Sequence, residues 1–414
     1  MFEFNILAKD KKTKARGGEF NTPHGKLLTP ELAFVATEGE LKSIPKEILP
    51  KLPVNLIIVN TFHLWTKQIR PIRLISPIHD FANFQKPIMS DSGGFQVFSM
   101  GFSKIHRVGK VANIFPGEQT SYGDKNNLLV ITEKGVTFPF NGKKITLTPK
   151  KSIELQKKIG ADIIFAFDEC TSPLNSYEYT KKALERTHEW LKRCLTELKK
   201  AKIPFLRQSP GPYLLGEAVE KNGIELSYNP QALFGIVQGG YFEDLRKESA
   251  QFVGNQDVSG FGIGGSLGRT KEDVFRVLEW TIPLLPEEKP RHLLGIGQVR
   301  DIFESVQRGV DLFDCVIPTR EARHRVLYTK KGRINIKKMR NVNEVLEKHC
   351  KCLTCIQSVK YDQLAQLFQL KDPRGFFFAT VHNIQFYADL MKKIREAIQQ
   401  GKFSELKEKV LLFY

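Results

Sequence analysis

The stretch Asp162-Ile-Ile-Phe-Ala-Phe-Asp-Glu-Cys170 decides the fold class. Its apolar residues run without interruption between two acids, Asp162 and Asp168. The run is far shorter than the roughly 20 residues of a membrane span. It shows no alternation, so it has no wet face. A short strand buried on both sides, as in a parallel sheet, fits this pattern. Seven other runs share it: Leu32–Thr37, Asn55–Thr61, Pro87–Asp91, Leu233–Gln238, Gly260–Gly265, His292–Gly295 and Leu312–Pro318. Helical patterns lie between most of them. Pro45–Leu52 follows the first run, and Pro149–Ile159 leads into the run at Asp162. Tyr179–Lys200 comes after it, and Lys271–Leu284 and Val299–Arg308 precede the last two. Eight strands alternating with helices predict an α/β chain folded as a (β/α)8 barrel, with an open doubly wound sheet as the competing arrangement.

Two stretches break the alternation. Between about 101 and 148 the chain carries ITEKGVTF (131–138) and, after Asn141-Gly142, KKITLT. Alternating residues around Asn-Gly predict an antiparallel hairpin inserted into the barrel. Lys110–Asn127 has no period and reads as a long loop. Beyond Arg340 come clustered cysteines and the helical segments Ile384–Gln399 and Ser404–Leu412. The expected division is a catalytic barrel over 1–340, with the insertion at about 101–148, and a second metal-binding helical unit over 341–414.

Composition agrees with a folded globular chain: 26% of the 414 residues are charged and 41% hydrophobic. The first dozen residues include Glu3 and Asp10 and no apolar core, so neither a secretory leader nor a membrane partner is expected, and the compartment is read as the cytoplasm. Lys and Arg number 63 against 45 Asp and Glu, a net +18. Such an excess favours a polyanionic partner, whose counterions are released on binding. The excess is concentrated: Leu312–Arg340 holds nine Lys or Arg against Asp314 and Glu321.

In a barrel the active site gathers at the carboxyl ends of the strands. There stand Asp91, followed by Ser-Gly-Gly-Phe-Gln, then Asp168, then Gln238-Gly-Gly, then Gly264-Gly265-Ser266, and Asp314. Each alone is commonplace, because a strand-end Asp is usually a helix cap and Gly-Gly a tight turn. Together they supply two carboxylates for chemistry at a sugar carbon, one to attack or to stabilise an oxocarbenium-like centre and one to manage protons. A third carboxylate and an amide can read a purine edge, and Phe95 can either stack on a base or fill core. Cys350-x-Cys352-x2-Cys355 followed by His382 offers three thiolates and one imidazole. That set suits one closed, structural zinc. His349 is a rival fourth ligand, but its adjacency to Cys350 makes its geometry awkward.

DSGGFQVFSM (91–100), FAFDEC (165–170), FGIVQGG (234–240), GFGIGG (260–265), RHLLGIG (291–297), GVDLFDCVIPTREAR (309–323) and the C-x-C-x2-C block with its later His resemble the tRNA-guanine transglycosylases, in order, from about Thr29 to Ala397. The resemblance implies a zinc-bearing barrel, usually a homodimer. Its activity would exchange guanine at the wobble position of a tRNA anticodon for a 7-deazaguanine on the route to queuosine. It implies Asp314 as the nucleophile at C1′ of the ribose and Asp91 as the general acid/base. Asp168, Gln238, Gly265 and Ser266 would read the base, and Phe95 and Leu294 would cover its faces. Arg320 and Arg323 would touch tRNA, and Cys350, Cys352, Cys355 and His382 would bind zinc. Phe95 stands where the family commonly has Tyr. Cys170 fits members that use 7-aminomethyl-7-deazaguanine, whereas Gly268 leaves room for queuine, so both bases stay open. Two alternatives also remain: an N-glycoside hydrolase on the same barrel and a non-catalytic tRNA-binding partner subunit.

Overall fold

The computed structural model describes residues 2–68, 77–98, 129–200, 205–206, 219–221, 224–227, 230–265 and 270–414. All eight expected runs form strands: β1 (Glu31–Val35), β2 (Ile57–Val59), β3 (Ile88–Ser90), β4 (Ile163–Phe165), β5 (Ala232–Val237), β6 (Gly260–Ile263), β7 (Arg291–Leu293) and β8 (Leu312–Cys315). They pair in parallel, in sequence order, and β8 closes on β1 to make a barrel. Helices include Pro149–Ile159, Tyr177–Leu198, Glu243–Gly254, Lys271–Thr281 and Val299–Gln307. Polar caps start several of them: the side chain of Thr148 accepts from Lys151 N, and that of Ser176 from Tyr179 N. The helix expected over Pro45–Leu52 is reduced to a single 3₁₀ turn at Leu49–Lys51.

Strand alternation sorts the apolar residues into two cores. Ala33, Ile58, Met89, Ile163, Phe165, Phe234, Ile236 and Leu312 fill the barrel interior. Phe34, Ile57, Val59, Ile164, Leu233, Ile263, Phe313 and Cys315 face outward under the helices. The inward positions of β6 are Gly260 and Gly262 because their neighbours take the volume. A Cβ on Gly260 would meet the Phe234 ring at 2.5 Å, and one on Gly262 would lie 2.7 Å from Ile236 Cδ1.

An antiparallel sheet of Phe4–Lys9, Arg16–Thr22 and Gly25–Thr29 adds Phe4, Phe20 and Leu27 to the interior core. Two buried polar anchors fix it. Arg16 grips Asp311 with Nε to Oδ1 at 2.8 Å and Nη2 to Oδ2 at 2.6 Å. His24 Nδ1 lies 2.6 Å from Asp162 Oδ1, and His79 Nε2 lies 2.9 Å from Oδ2, with the two imidazoles stacked at 3.4 Å. Ile88 N also donates to Asp162.

The insertion carries one strand more than the expected hairpin. Val130–Thr132, Gly135–Phe140 and Lys143–Leu147 form a three-stranded antiparallel sheet, with the Asn141-Gly142 turn where the sequence placed it. The loop at 110–127 lies outside the described residues. After β8 come the helix Ile317–Arg323, the hairpin Val326–Thr329 with Gly332–Asn335, and the long helix Pro373–Gln399. That long helix begins eleven residues before the expected Ile384. It is bound to the barrel by Tyr387 Oη to Gly297 O, Asn383 Nδ2 to Pro318 O, and Arg395 to Pro30 O.

Burial pushes the Asp162 carboxyl up, but His79 and His24 outweigh burial and hold it well below the usual carboxylate range. Its contribution to stability is therefore complete above the unfolded-state value of about 3.9 and is lost as pH falls below that. Asp162→Asn should cost roughly 3–5 kcal/mol in urea denaturation at neutral pH. The gap between wild type and variant should narrow as the pH drops below about 4.

Candidate active site and metal centre

The carboxyl ends of the strands bring most of the sequence-predicted residues to one mouth. Asp91 directly follows β3, and Asp314 sits inside β8, one residue from its end. Alternation turns Asp314 toward the mouth, while Cys315 packs outward, where a Cβ on Gly297 would strike its sulfur.

Asp91 is held from several sides. Asn60 Nδ2 donates to Oδ2 at 2.5 Å, and the backbone amides of Thr61 and Gly93 donate to Oδ1 at 2.9 and 3.1 Å. Asn60 also caps the helix Thr61–Thr66 by accepting from His63 N, so one side chain both starts that helix and orients the acid. Thr61 Oγ1 donates to the Asp91 carbonyl. Burial pushes the Asp91 carboxyl up to about 7; the amide bonds oppose the rise, and the negative charge of Asp314 adds to it. A carboxyl near neutrality can give and take a proton at working pH. Asp314 Oδ1 accepts from His292 Nε2 at 2.9 Å and from Gly295 N at 3.0 Å.

Beside this pair lies a polar corner. Gln238 Nε2 donates to Asp168 Oδ2 at 2.6 Å. Burial raises the Asp168 carboxyl to about 6, against the pull of that hydrogen bond. Gln238 Oε1 is buried and has no hydrogen-bond partner among the described residues. Gly265, at φ +77°, backs directly onto it: a Cβ there would lie 1.9 Å from Oε1. The corner thus presents a carboxylate, a free amide oxygen and close backbone, which suits the edge of a heterocyclic base. Phe95 is 43% exposed, so its ring is not core filling. Leu294 packs at the top of the interior core. Ser266 lies outside the described residues, as does Gly268. Arg320 and Arg323 share the helix Ile317–Arg323 that follows β8, and Arg323 Nη1 is tethered to Thr319 O.

Several residues that shape the mouth escape sequence reasoning. His292 and Asn60 are two. Arg246 is a third: fully buried, it donates to the carbonyls of Val237, Gly240 and Gly264 and so ties the ends of β5 and β6 together. Only His292 leaves a sequence signal, as the polar residue that opens the otherwise apolar run His292–Gly295.

Cys350, Cys352, Cys355 and His382, all beyond β8 in the chain, converge on one another. All their ligand atoms lie within 4.8 Å of one another, and His382 Nδ1 stands 3.9, 3.7 and 3.4 Å from the three sulfurs. A tetrahedral ion with zinc-like bond lengths separates such atoms by about 3.5–3.8 Å. His382 Nε2 is tied to Tyr328 O at 3.0 Å, which aims Nδ1 at the thiols, as a metal-binding imidazole requires. The four residues can hold a metal ion, and their softness is consistent with zinc.

A family model described as queuine tRNA-ribosyltransferase matches residues 10–414. A relative from Archaeoglobus fulgidus is 42% identical over 97% of each chain. The queuine tRNA-ribosyltransferase of Herpetosiphon aurantiacus is 38% identical, over 97% of this chain and 91% of its own. That of Francisella tularensis subsp. mediasiatica is 36% identical over 100% and 99%.

The juxtaposition of the two acids can be measured directly. The infrared band of the protonated Asp91 carboxyl, identified by its loss in Asp91→Asn, should titrate near the value of about 7 given above. Asp314→Asn should move that titration to lower pH, because it removes a neighbouring negative charge. An unmoved titration would mean that the two carboxylates do not share a mouth.

Proposed function

Because the chain belongs to the queuine tRNA-ribosyltransferase family, we propose that it is a tRNA-guanine transglycosylase that works through Asp314 and Asp91. The substrate is guanine at the anticodon wobble position of tRNA, and the incoming base is a 7-deazaguanine. The observation that carries this reading is the mouth itself, where an acid poised near neutrality stands beside a second carboxylate and a base-sized polar corner.

The Asp314 carboxylate attacks C1′ of the ribose. The C1′–N9 bond breaks, and Asp91 gives its proton to the departing guanine. The incoming base then loses its N9 proton to Asp91, attacks C1′ and releases Asp314 from the ester. One glycosidic bond replaces another, so no nucleotide triphosphate is consumed. Water must be kept from the ester, or the tRNA is left without a base. Asp168 and Gln238 hold the polar edge of the base, Gly265 lets it approach the backbone, and Phe95 and Leu294 lie against its faces. The nucleotide reaches the mouth by leaving its stack in the anticodon loop. Arg320, Arg323 and the basic stretch after β8 hold nearby phosphates. Zinc at Cys350, Cys352, Cys355 and His382 takes no part in the exchange. Bound there, it would tie the Cys350–Cys355 segment to the long helix Pro373–Gln399. The protein works as a homodimer in the cytoplasm. Among the described residues no helix is long and apolar enough to cross a membrane.

Two measurements test this reading. Incubation of enzyme with tRNA and labelled guanine should place label in tRNA. Asp314→Asn should lower that incorporation by at least about 10³-fold, in line with loss of a covalent nucleophile. Hydrolysis without incorporation would identify a glycosidase instead. Metal analysis of purified protein should find about one zinc per chain. Cys352→Ser should lose the zinc and melt at lower temperature. A fully folded wild-type protein without zinc would remove the metal from the account.

A further inference from the structure

We propose that His292 is a positioning residue for Asp314: as a neutral imidazole carrying its proton on Nε2, it pins Oδ1 and leaves Oδ2 as the oxygen that attacks. This rests on the reading of Asp314 as nucleophile and specifies how that carboxylate is presented.

Three observations support it. First, both hydrogen bonds to the Asp314 side chain fall on the same oxygen. His292 Nε2 and Gly295 N each reach Oδ1, at 2.9 and 3.0 Å. Among the described residues Oδ2 accepts nothing, and the Asp314 side chain stays 16% exposed while His292 is sealed. One oxygen is clamped and the other faces the opening. Two donors on Oδ1 fix the carboxylate plane, so Oδ2 meets a bound ribose from one direction.

Second, the clamp is apolar behind. His292 lies in β7, flanked in register by Gly262 of β6 and Leu312 of β8. The Phe165 ring of β4 stands 5.2 Å from the imidazole, at 59° to it. Among the described residues the one charged group within ion-pair distance of the imidazole is Asp314. Among the described residues the buried His292 Nδ1 has no hydrogen-bond partner.

Third, the chemistry selects the tautomer. A carboxylate oxygen only accepts, so Nε2 must carry the proton. A second proton on Nδ1 would be a buried donor with no acceptor, which the site disfavours. It would also turn the contact into an ion pair and draw charge away from the attacking oxygen. The neutral donor orients Asp314 without weakening it. Gly295 contributes the second clamp as backbone, at φ +75°, where a side chain would be strained.

The test combines kinetics with a direct readout of the imidazole. His292→Phe keeps an apolar ring and removes the donor. It should slow formation of the covalent tRNA adduct by about 10- to 100-fold, with the KM for tRNA changed less than about 3-fold. His292→Gln, whose amide can replace the Nε2 donor, should recover most of that loss. In ¹⁵N-histidine-labelled wild type, the resonance missing from His292→Gln should report the neutral Nε2–H form at neutral pH. Undiminished adduct formation in His292→Phe would overturn the proposal. So would an imidazolium, or an Nδ1–H tautomer, in the wild type. Should His292→Phe fail to fold, the wild-type spectrum and the Gln variant decide the matter. An adduct that persists in Asp314→Asn overturns the nucleophile reading itself. An adduct lost in Asp314→Asn but unaffected in His292→Phe overturns only the role of His292.

Discussion

Two like-charged groups, Asp91 and Asp314, stand at one mouth of the barrel, and the rest of the site is built around keeping them there. Their repulsion, added to burial, carries Asp91 to about 7. Left alone, a pair of close carboxylates would take up a shared proton and lose its division of labour. Here the division is enforced by unequal support. Asp91 has amide donors at both oxygens, from Asn60 and from the backbone of Thr61 and Gly93, yet burial still prevails. Asp314 is clamped on one oxygen and open on the other. The environments differ, so the chemical roles can differ.

That arrangement depends on rigidity supplied from elsewhere. At the mouth, Arg246 joins the ends of β5 and β6 through three carbonyls, and Gln238 is pressed between Asp168 and Gly265. At the other end, the antiparallel sheet is held by Arg16 on Asp311 and by His24 and His79 on Asp162. Asp311 also accepts from Arg291 N, the first residue of β7, and it precedes β8 directly. The strands that carry His292 and Asp314 are therefore fixed at their bases by the same buried acid. Along the outside, Tyr387 of the long helix holds Gly297, just past the clamp residue Gly295. The Cys350–Cys352–Cys355–His382 cluster bears on that helix through His382.

Much of this was legible in the sequence because the barrel obeys a local rule. Runs such as IIF at β4 and ALFGIV at β5 are apolar on both faces, and eight short runs in alternation with helices admit few topologies. The strand-end acids followed, since a barrel gathers its strand ends. The Cys350-Cys352-Cys355 spacing and His382 also came together as expected. What stayed hidden depends on long-range packing. The N-terminal sheet leaves no clear sequence signal, because its anchors Asp311 and Asp162 lie far along the chain. Gly260 and Gly262 fall in a run that reads as a strand, but the reason for glycine there is seen only when Phe234 and Ile236 are found to occupy the space. Arg246 carries no sequence signal, since no spacing reveals that three carbonyls at the ends of two strands surround it. Phe95 could not be assigned to core or surface from its neighbours in sequence, and only its exposure separates the two.

The central claim is that Asp314 and no other acid makes the bond to ribose. The most direct measurement is to trap the enzyme–tRNA adduct, digest both components, and locate the ribosylated peptide by mass spectrometry. The modification should map to Asp314, within LFDC, while the peptide containing Asp91 remains unmodified. A ribose found on Asp91, or on any residue outside this mouth, would contradict the account.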